Sequence, residues 1–137
     1  MKGFTLFCKA SAGRGKFKVE ALAFKVSEGL VVMLVGGEKP HVGAVALSYP
    51  EAETGKLAAS LLSVPRHRNG EVAKPASRLL ARKFKVPVAV VAGLHVDNAT
   101  RKDVEKLVSN AGKALERLVE ALEKGKFIFM EAANLHP

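Results

Sequence analysis

The sequence has no tryptophan, no glutamine, a single tyrosine and a single cysteine. One cysteine cannot close an internal disulfide, so the core must come from apolar packing rather than from covalent staples. Aromatic residues are scarce, and no basic and aromatic residues interleave as a base-stacking platform would require. With no base-stacking platform, nucleic acid is disfavoured as a partner. No apolar run approaches the roughly 20 residues of a membrane-spanning helix, and no charged, apolar, small-residue leader opens the chain. A soluble, cytoplasmic protein without membrane attachment is the expectation. The missing glutamine, beside abundant Lys, Arg and Glu, is a compositional signature of adaptation to heat.

What is present is enough for one ordinary domain. The 137 residues suffice to bury a two-layer core, and residues 1–137 read as a single unit with no linker, repeat or low-complexity segment. The formal net charge is +9, from 22 Lys and Arg against 13 Asp and Glu. That favours phosphates, acidic proteins or anionic small molecules. Cys8 alternates with Phe4 and Leu6 and reads as a small core side chain.

The N-terminal third reads as β-structure. Phe4–Cys8, the glycine-rich turn Ser11–Gly15 and the run Phe17–Val26 predict a hairpin. A change of apolar parity in the second run predicts a bulge near Ala21. Leu30–Val35 is continuous and β-branched, as in a strand covered on both faces. His41–Tyr49 is again strand-like, its Gly43, Ala44 and Ala46 leaving room for a close neighbour, and Leu57–Val64 predicts another strand.

Two helices follow. In the first, Val72, Ala76, Leu79, Leu80 and Phe84 share a face opposite Lys74, Arg78, Arg82 and Lys85, with Pro75 placed near the first turn. Between the helices, Val88–Ala92 reads as a further strand. The second helix carries the stripe Val104, Leu107, Val108, Ala111, Leu115, Leu118 and Leu122, with Thr100 and Asp103 set for a capping box and Gly125 ending it. Phe127–Met130 is either a last strand or a packed tail. Strands in succession followed by helices predict an α+β fold of two layers, a largely antiparallel sheet with both helices on one face.

Three of the four histidines stand at predicted element ends: His41 before a strand, His67 before the first helix, and His95 after a strand and two residues from Asp97. His136 lies in the tail and reads as solvated. If the three loops converge, they assemble imidazoles, a carboxylate and guanidiniums around a small anion or a divalent metal held by His41, His67 and His95. No His-x-x-His, His-x-x-x-His or Cys-x-x-Cys pair exists, so the spacing is not diagnostic of metal. Arg66 and Arg68 stand at the N-terminal side of the first helix, where free N–H groups and the dipole favour a phosphate. No nucleophile with a sequence-local base is visible, which makes an enzyme the weaker reading.

Three segments together resemble the LpdD-like family, named after the small D subunit that accompanies gallate decarboxylase. They are His41-Val42-Gly43-Ala44-Val45-Ala46, Pro65-Arg66-His67-Arg68-Asn69-Gly70-Glu71, and Gly93-Leu94-His95-Val96-Asp97. The resemblance implies a fold related to proteasome assembly chaperones. It also implies an accessory role beside decarboxylases that use prenylated flavin mononucleotide (prenylated FMN). On that basis His41, Gly43, Arg66, His67, Arg68, Glu71, His95 and Asp97 are candidate contacts for prenylated FMN or FMN. Arg66 stands where the family has glycine, and Asn69-Gly70 where it has an acidic pair, so this loop is more positive. A decarboxylase or other acidic protein is the expected partner, with a homo-oligomer as the expected assembly. The alternatives are a protein-interaction module docking through the basic helix face, and a small metal-dependent enzyme.

Overall fold

The computed structural model describes residues 4–65 and 68–131. Alternating apolar segments give β1 (Phe4–Ala12), β2 (Val19–Val26), β3 (Gly29–Gly37), β4 (Ala44–Pro50) and β5 (Leu57–Ser63). Then come α1 (Gly70–Phe84), β6 (Val88–His95), α2 (Arg101–Glu123) and β7 (Ile128–Glu131). The strands form one seven-stranded sheet in the order β5-β4-β6-β3-β2-β1-β7. Every neighbouring pair is antiparallel except β3 and β6, which run parallel. Residues 128–131 thus resolve as a strand paired with β1 rather than a tail.

Both helices cover the same face. α1 lies over β4, β5 and β6, and α2 over β1 and β2. Between helices and sheet sit Val19, Ala21 and Ala23 of β2, Leu30, Val32 and Leu34 of β3, and Val88, Val90 and Ala92 of β6, all buried. At about 1.5–3 kcal/mol per buried large aliphatic side chain, this layer dominates the stability. Cys8 is fully buried, donates to the Lys126 carbonyl at 3.2 Å, and has its thiol pKa pushed up by burial.

Several expectations need correction. No bulge interrupts β2, because its registers with β1 and β3 run unbroken through Ala21. The parity change arises because Leu22 and Phe24 lie on the outer face while Ala21 and Ala23 stay inside. β3 is not covered on both faces. Leu30, Val32 and Leu34 are buried, but Val31 on the other side is 39% exposed. Its run is continuous because the outer face is itself apolar, with Leu47 and Tyr49 of β4 exposed there too. The strand expected from His41 starts at Ala44, leaving His41 and Gly43 in a loop.

α1 begins at Gly70 rather than at Pro75. Pro75 stands at the sixth helical position, so its missing N–H removes only the bond that would reach the Glu71 carbonyl, in the first turn. The buried face of α1 is built from Ala73, Ala76, Ser77, Leu80 and Ala81, while Leu79 is exposed. Small residues allow close approach to Ala44, Ala46 and Ser48 of β4, and the buried Ser48 and Ser77 hydroxyls satisfy each other at 2.7 Å. A pattern weighted by apolar bulk misses a face made of alanine and serine.

α2 begins as the sequence predicts. The Thr100 hydroxyl accepts from Asp103 N–H at 3.1 Å, and the Asp103 carboxylate accepts from Thr100 N–H at 3.0 Å. Asn98 takes a left-handed conformation, φ 51°, and turns the chain instead of capping it. Asn110, polar within the apolar stripe, is buried and donates to the Phe17 carbonyl at 2.8 Å. Thr100→Ala is expected to destabilise the fold by about 1 kcal/mol, read as a lowered midpoint in denaturant unfolding with an unchanged slope.

Candidate functional site

Parallel pairing of β3 with β6 sets Gly37 opposite His95. Residues 38–43 and 96–100 therefore leave the sheet side by side, and α1 starts at the same end. The first loop folds back over β6. Glu38 and Lys39 N–H groups both donate to the His95 carbonyl, at 2.7 and 3.3 Å, and Gly43 N–H donates to the Ala92 carbonyl at 2.9 Å. The crossing is so close that a Cβ on Gly93 would collide with the His41 carbonyl.

Asn69 fastens α1 to this crossing. It occupies the N-cap position of α1 but makes no capping bond with its side chain. Instead its amide oxygen accepts from Leu94 N–H at 3.0 Å, and its amide nitrogen lies 3.2 Å from His41 Nε2. The backbone donor fixes the orientation of the amide, so Asn69 donates to His41 and Nε2 accepts. His41 Nδ1 then carries the proton and donates to the Lys39 carbonyl at 2.8 Å. One neutral tautomer of His41 satisfies the whole chain.

His95 stands edge-on to His41, ring centroids 6.3 Å apart. Its Nε2 lies 2.9 Å from Asp97 Oδ1, the oxygen that Lys39 Nζ also approaches at 3.1 Å. Asp97 N–H donates to the Glu38 carboxylate at 3.0 Å. The hydrogen bond to His95, then that to Lys39, holds the Asp97 carboxyl below the usual carboxylate range.

Beside this knot, α1 and α2 diverge around a cleft of about 400 Å³. Its apolar walls include Val72, Leu94, Val104 and Val108, and its polar groups are Arg68, Asn69, Glu71 and His95. Val104 and Val108 belong to the apolar stripe of α2 yet are about half exposed, because they face the cleft instead of the core.

The structure thus brings together five of the residues singled out from the sequence. Arg68, Glu71 and His95 line the cleft, while His41 and Asp97 support it from behind. Gly43 is a packing position: a Cβ there would strike the Asn69 amide. Arg66, His67 and the tail His136 lie outside the described residues. Among the described residues no three His, Cys, Asp or Glu side chains come together as metal ligands. Both ring nitrogens of His41 are committed to hydrogen bonds, which leaves the three-histidine metal site without support. Sequence reasoning missed Asn69, which it treated only as a change of loop charge, and the outward valines of α2. A polar residue with short side-chain reach directly before a helix was the available signal for Asn69.

A sheet with both helices on one face, and with loops gathered at one end, is the architecture of a proteasome assembly chaperone. The chain superimposes on one chain of a novel chaperone complex for yeast 20S proteasome assembly with a TM-score of 0.61. The two are 10% identical, and the match covers 86% of this chain and 96% of that one. That likeness concerns the fold alone. No curated protein is matched. Residues 13–123 match the prenylated flavin chaperone LpdD-like domain, and the chain belongs to that family.

Asn69→Leu removes the partner of Leu94 N–H and of His41 together, a cost of about 1–3 kcal/mol for each polar group left unsatisfied. A lowered thermal midpoint should accompany a shift of the His41 Nε2 resonance in nitrogen-detected NMR as its hydrogen bond is lost, while the Nδ1 proton remains on the Lys39 carbonyl. For Asp97 the depressed folded-state value means that its ties contribute fully above the ordinary aspartate value of about 3.9. They fade as pH falls through the lower folded value. Its carboxyl-carbon titration should have a midpoint below that of a free aspartate, raised more by His95→Ala than by Lys39→Ala.

Proposed function

We propose that the chain is a chaperone that holds prenylated FMN, or FMN, in the cleft between α1 and α2 and passes it to a decarboxylase partner. The observation that carries this reading is the composition of the cleft. Apolar walls from both helices suit a flat ring system, and Arg68, at the N-terminal side of α1, suits a phosphate. The volume of about 400 Å³ falls within the roughly 300–1,000 Å³ of small-molecule sites. Family membership supports the choice of flavin over other ring-bearing phosphates.

In this reading the residues of the chain hold and orient. Arg68 pairs with the phosphate, Val72, Val104 and Val108 exclude water from the ring faces, and Glu71 and His95 meet polar atoms at the ring edge. Asn69, His41 and Asp97 keep those groups in place. The bound flavin supplies the ring chemistry of the decarboxylase; this chain contributes no reacting group to it. Self-association of the chain, as a homo-oligomer, has its support in the apolar outer face of the sheet, where Val31, Leu47 and Tyr49 are exposed. Lys9 and Glu20, at its margin by register, cancel in charge.

The test is a fluorescence titration of FMN and of reduced prenylated FMN under anaerobic conditions. Arg68→Ala is expected to weaken binding about 10- to 100-fold, the equivalent of one charge-assisted hydrogen bond. Val108→Trp should abolish binding by filling the cleft, whereas Lys113→Ala, on the exposed side of α2, should leave it unchanged. Equal affinity across the Arg68 and Val108 variants removes the cleft as the flavin site. Elemental analysis of the same samples reads any metal directly.

A further inference from the structure

On the other flank of α1 lies a second concave surface, which shares only Arg68 and Glu71, at the start of the helix, with the flavin cleft. A trough of about 850 Å³ runs along α1 beside β5, continued by a cavity of about 690 Å³ toward the end of the helix. α1 runs antiparallel to β5 along its whole length. Gly70 lies against Leu61 and Ser63, while Ala81 and Lys85 face Leu57. Cations crowd this trough: Arg68, Lys74, Arg78 and Arg82, then Lys56 and Lys85, against Glu71 as its carboxylate. Four basic side chains outside the trough have acidic partners: Lys39 with Asp97, Lys83 with Glu123, Arg101 with Glu105 and Lys124 with Glu120. Among the described residues no ion pair engages any of the six in the trough.

β5 is an edge of the sheet, paired to β4 alone. Edge strands are ordinarily guarded by charge, proline, a bulge or a covering segment. The sequence of β5, Leu-Ala-Ala-Ser-Leu-Leu-Ser, has neither of the first two, its register is unbroken, and Leu62 is 77% exposed. The hydrogen bonds Val64 N–H to Gly43 and Glu51 N–H to Lys56 fix the phase of the ladder. Even-numbered residues of β5 therefore bond to β4. The N–H and C=O groups of Leu57, Ala59, Leu61 and Ser63 point to the open edge.

We propose that this edge accepts an extended acidic peptide as an added strand, its main chain pairing with β5 and its carboxylates meeting the cations of α1. The spacings agree. Lys74, Arg78 and Arg82 recur every fourth residue, an advance of about 6 Å along the helix, and alternate side chains of a strand recur about every 6.6–6.8 Å. One carboxylate at every second position thus meets one cation at every fourth. Apolar residues at Leu61, Pro75 and Leu79 form the floor. A second copy of this chain is the wrong occupant, because edge-to-edge pairing would bring two unpaired cation rows together in a molecule of net charge +9.

The probe is a fluorescein-labelled octapeptide alternating glutamate with valine, followed by anisotropy at low salt. Arg78→Glu with Arg82→Glu should weaken it at least tenfold, as should 0.5 M salt. Neither residue lines the flavin cleft, so flavin binding by that variant should persist, and failure of one proposal is distinguishable from failure of the other. Ala59→Pro removes an edge-facing N–H without touching the β4 ladder and should also abolish binding. In the unaltered chain, peptide should protect the amides of Leu57, Ala59, Leu61 and Ser63 from exchange, whatever the fate of the proline variant. Equal binding of a lysine-valine peptide, indifference to the charge reversal, or absence of that protection each overturns the proposal. Protection that grows with protein concentration and needs no peptide overturns it in favour of self-pairing.

Discussion

The side-chain amide of Asn69 joins three pieces of chain that are remote in sequence: the start of α1, the end of β6 and the loop before β4. Each supplies a group the others need, a backbone donor from Leu94 and an imidazole acceptor from His41, and the amide has one orientation that serves both. Its diversion from capping leaves the first turn of α1 to be held by its own 3-10-type backbone bonds, Glu71 to Arg68 and Val72 to Asn69. What the helix forgoes locally becomes the fixed position of Arg68 and Glu71 at the cleft. A carboxylate at the same place could accept from Leu94 but could not donate to a neutral His41, so the amide matters here for its geometry as well as for its lack of charge.

The distribution of cover over the sheet governs the remaining surfaces. Two helices suffice for one face, so apolar residues that alternate outward on β2, β3 and β4 stay open. The helices also lie over different strands, and the space between them is the cleft. An edge strand without charge and a helix face rich in it then meet along the opposite flank. Three surfaces of different chemistry follow from one arrangement: apolar outside, mixed between the helices, cationic along the edge.

Much of this was legible in the sequence where a local rule applies. The capping box at Thr100 and Asp103, the end of α2 at Gly125, the strand at Leu57–Ser63 and the α+β layering follow from periodicity and turn chemistry. The convergence of His41 with His95 was legible only as a position at element ends. What brings the two rings together is the parallel β3–β6 pairing, which no local pattern encodes. The inner face of α1 was legible in part: Ala76 and Leu80 are buried and Val72 and Phe84 pack on the core, whereas Ala73, Ser77 and Ala81 went unread because alanine and serine carry little apolar weight, although their size is what permits close packing on β4. The supposed bulge in β2 was misread for the converse reason. Leu22 and Phe24 look like core residues, but an open sheet face takes large apolar side chains as readily as the buried one.

Gly93 sets the depth of the site by having nothing on its Cα. The His41 carbonyl occupies the volume a methyl group would need, so the loop of residues 38–43 rests directly on the strand. A substitution there would act as a wedge: lifting His41 would pull on Asn69, and through it on the first turn of α1 and the position of Arg68. The separation between the floor of the cleft and the wall that carries Arg68 is therefore written in a missing side chain. Engineering that separation would start at position 93, with no change to any residue lining the cleft.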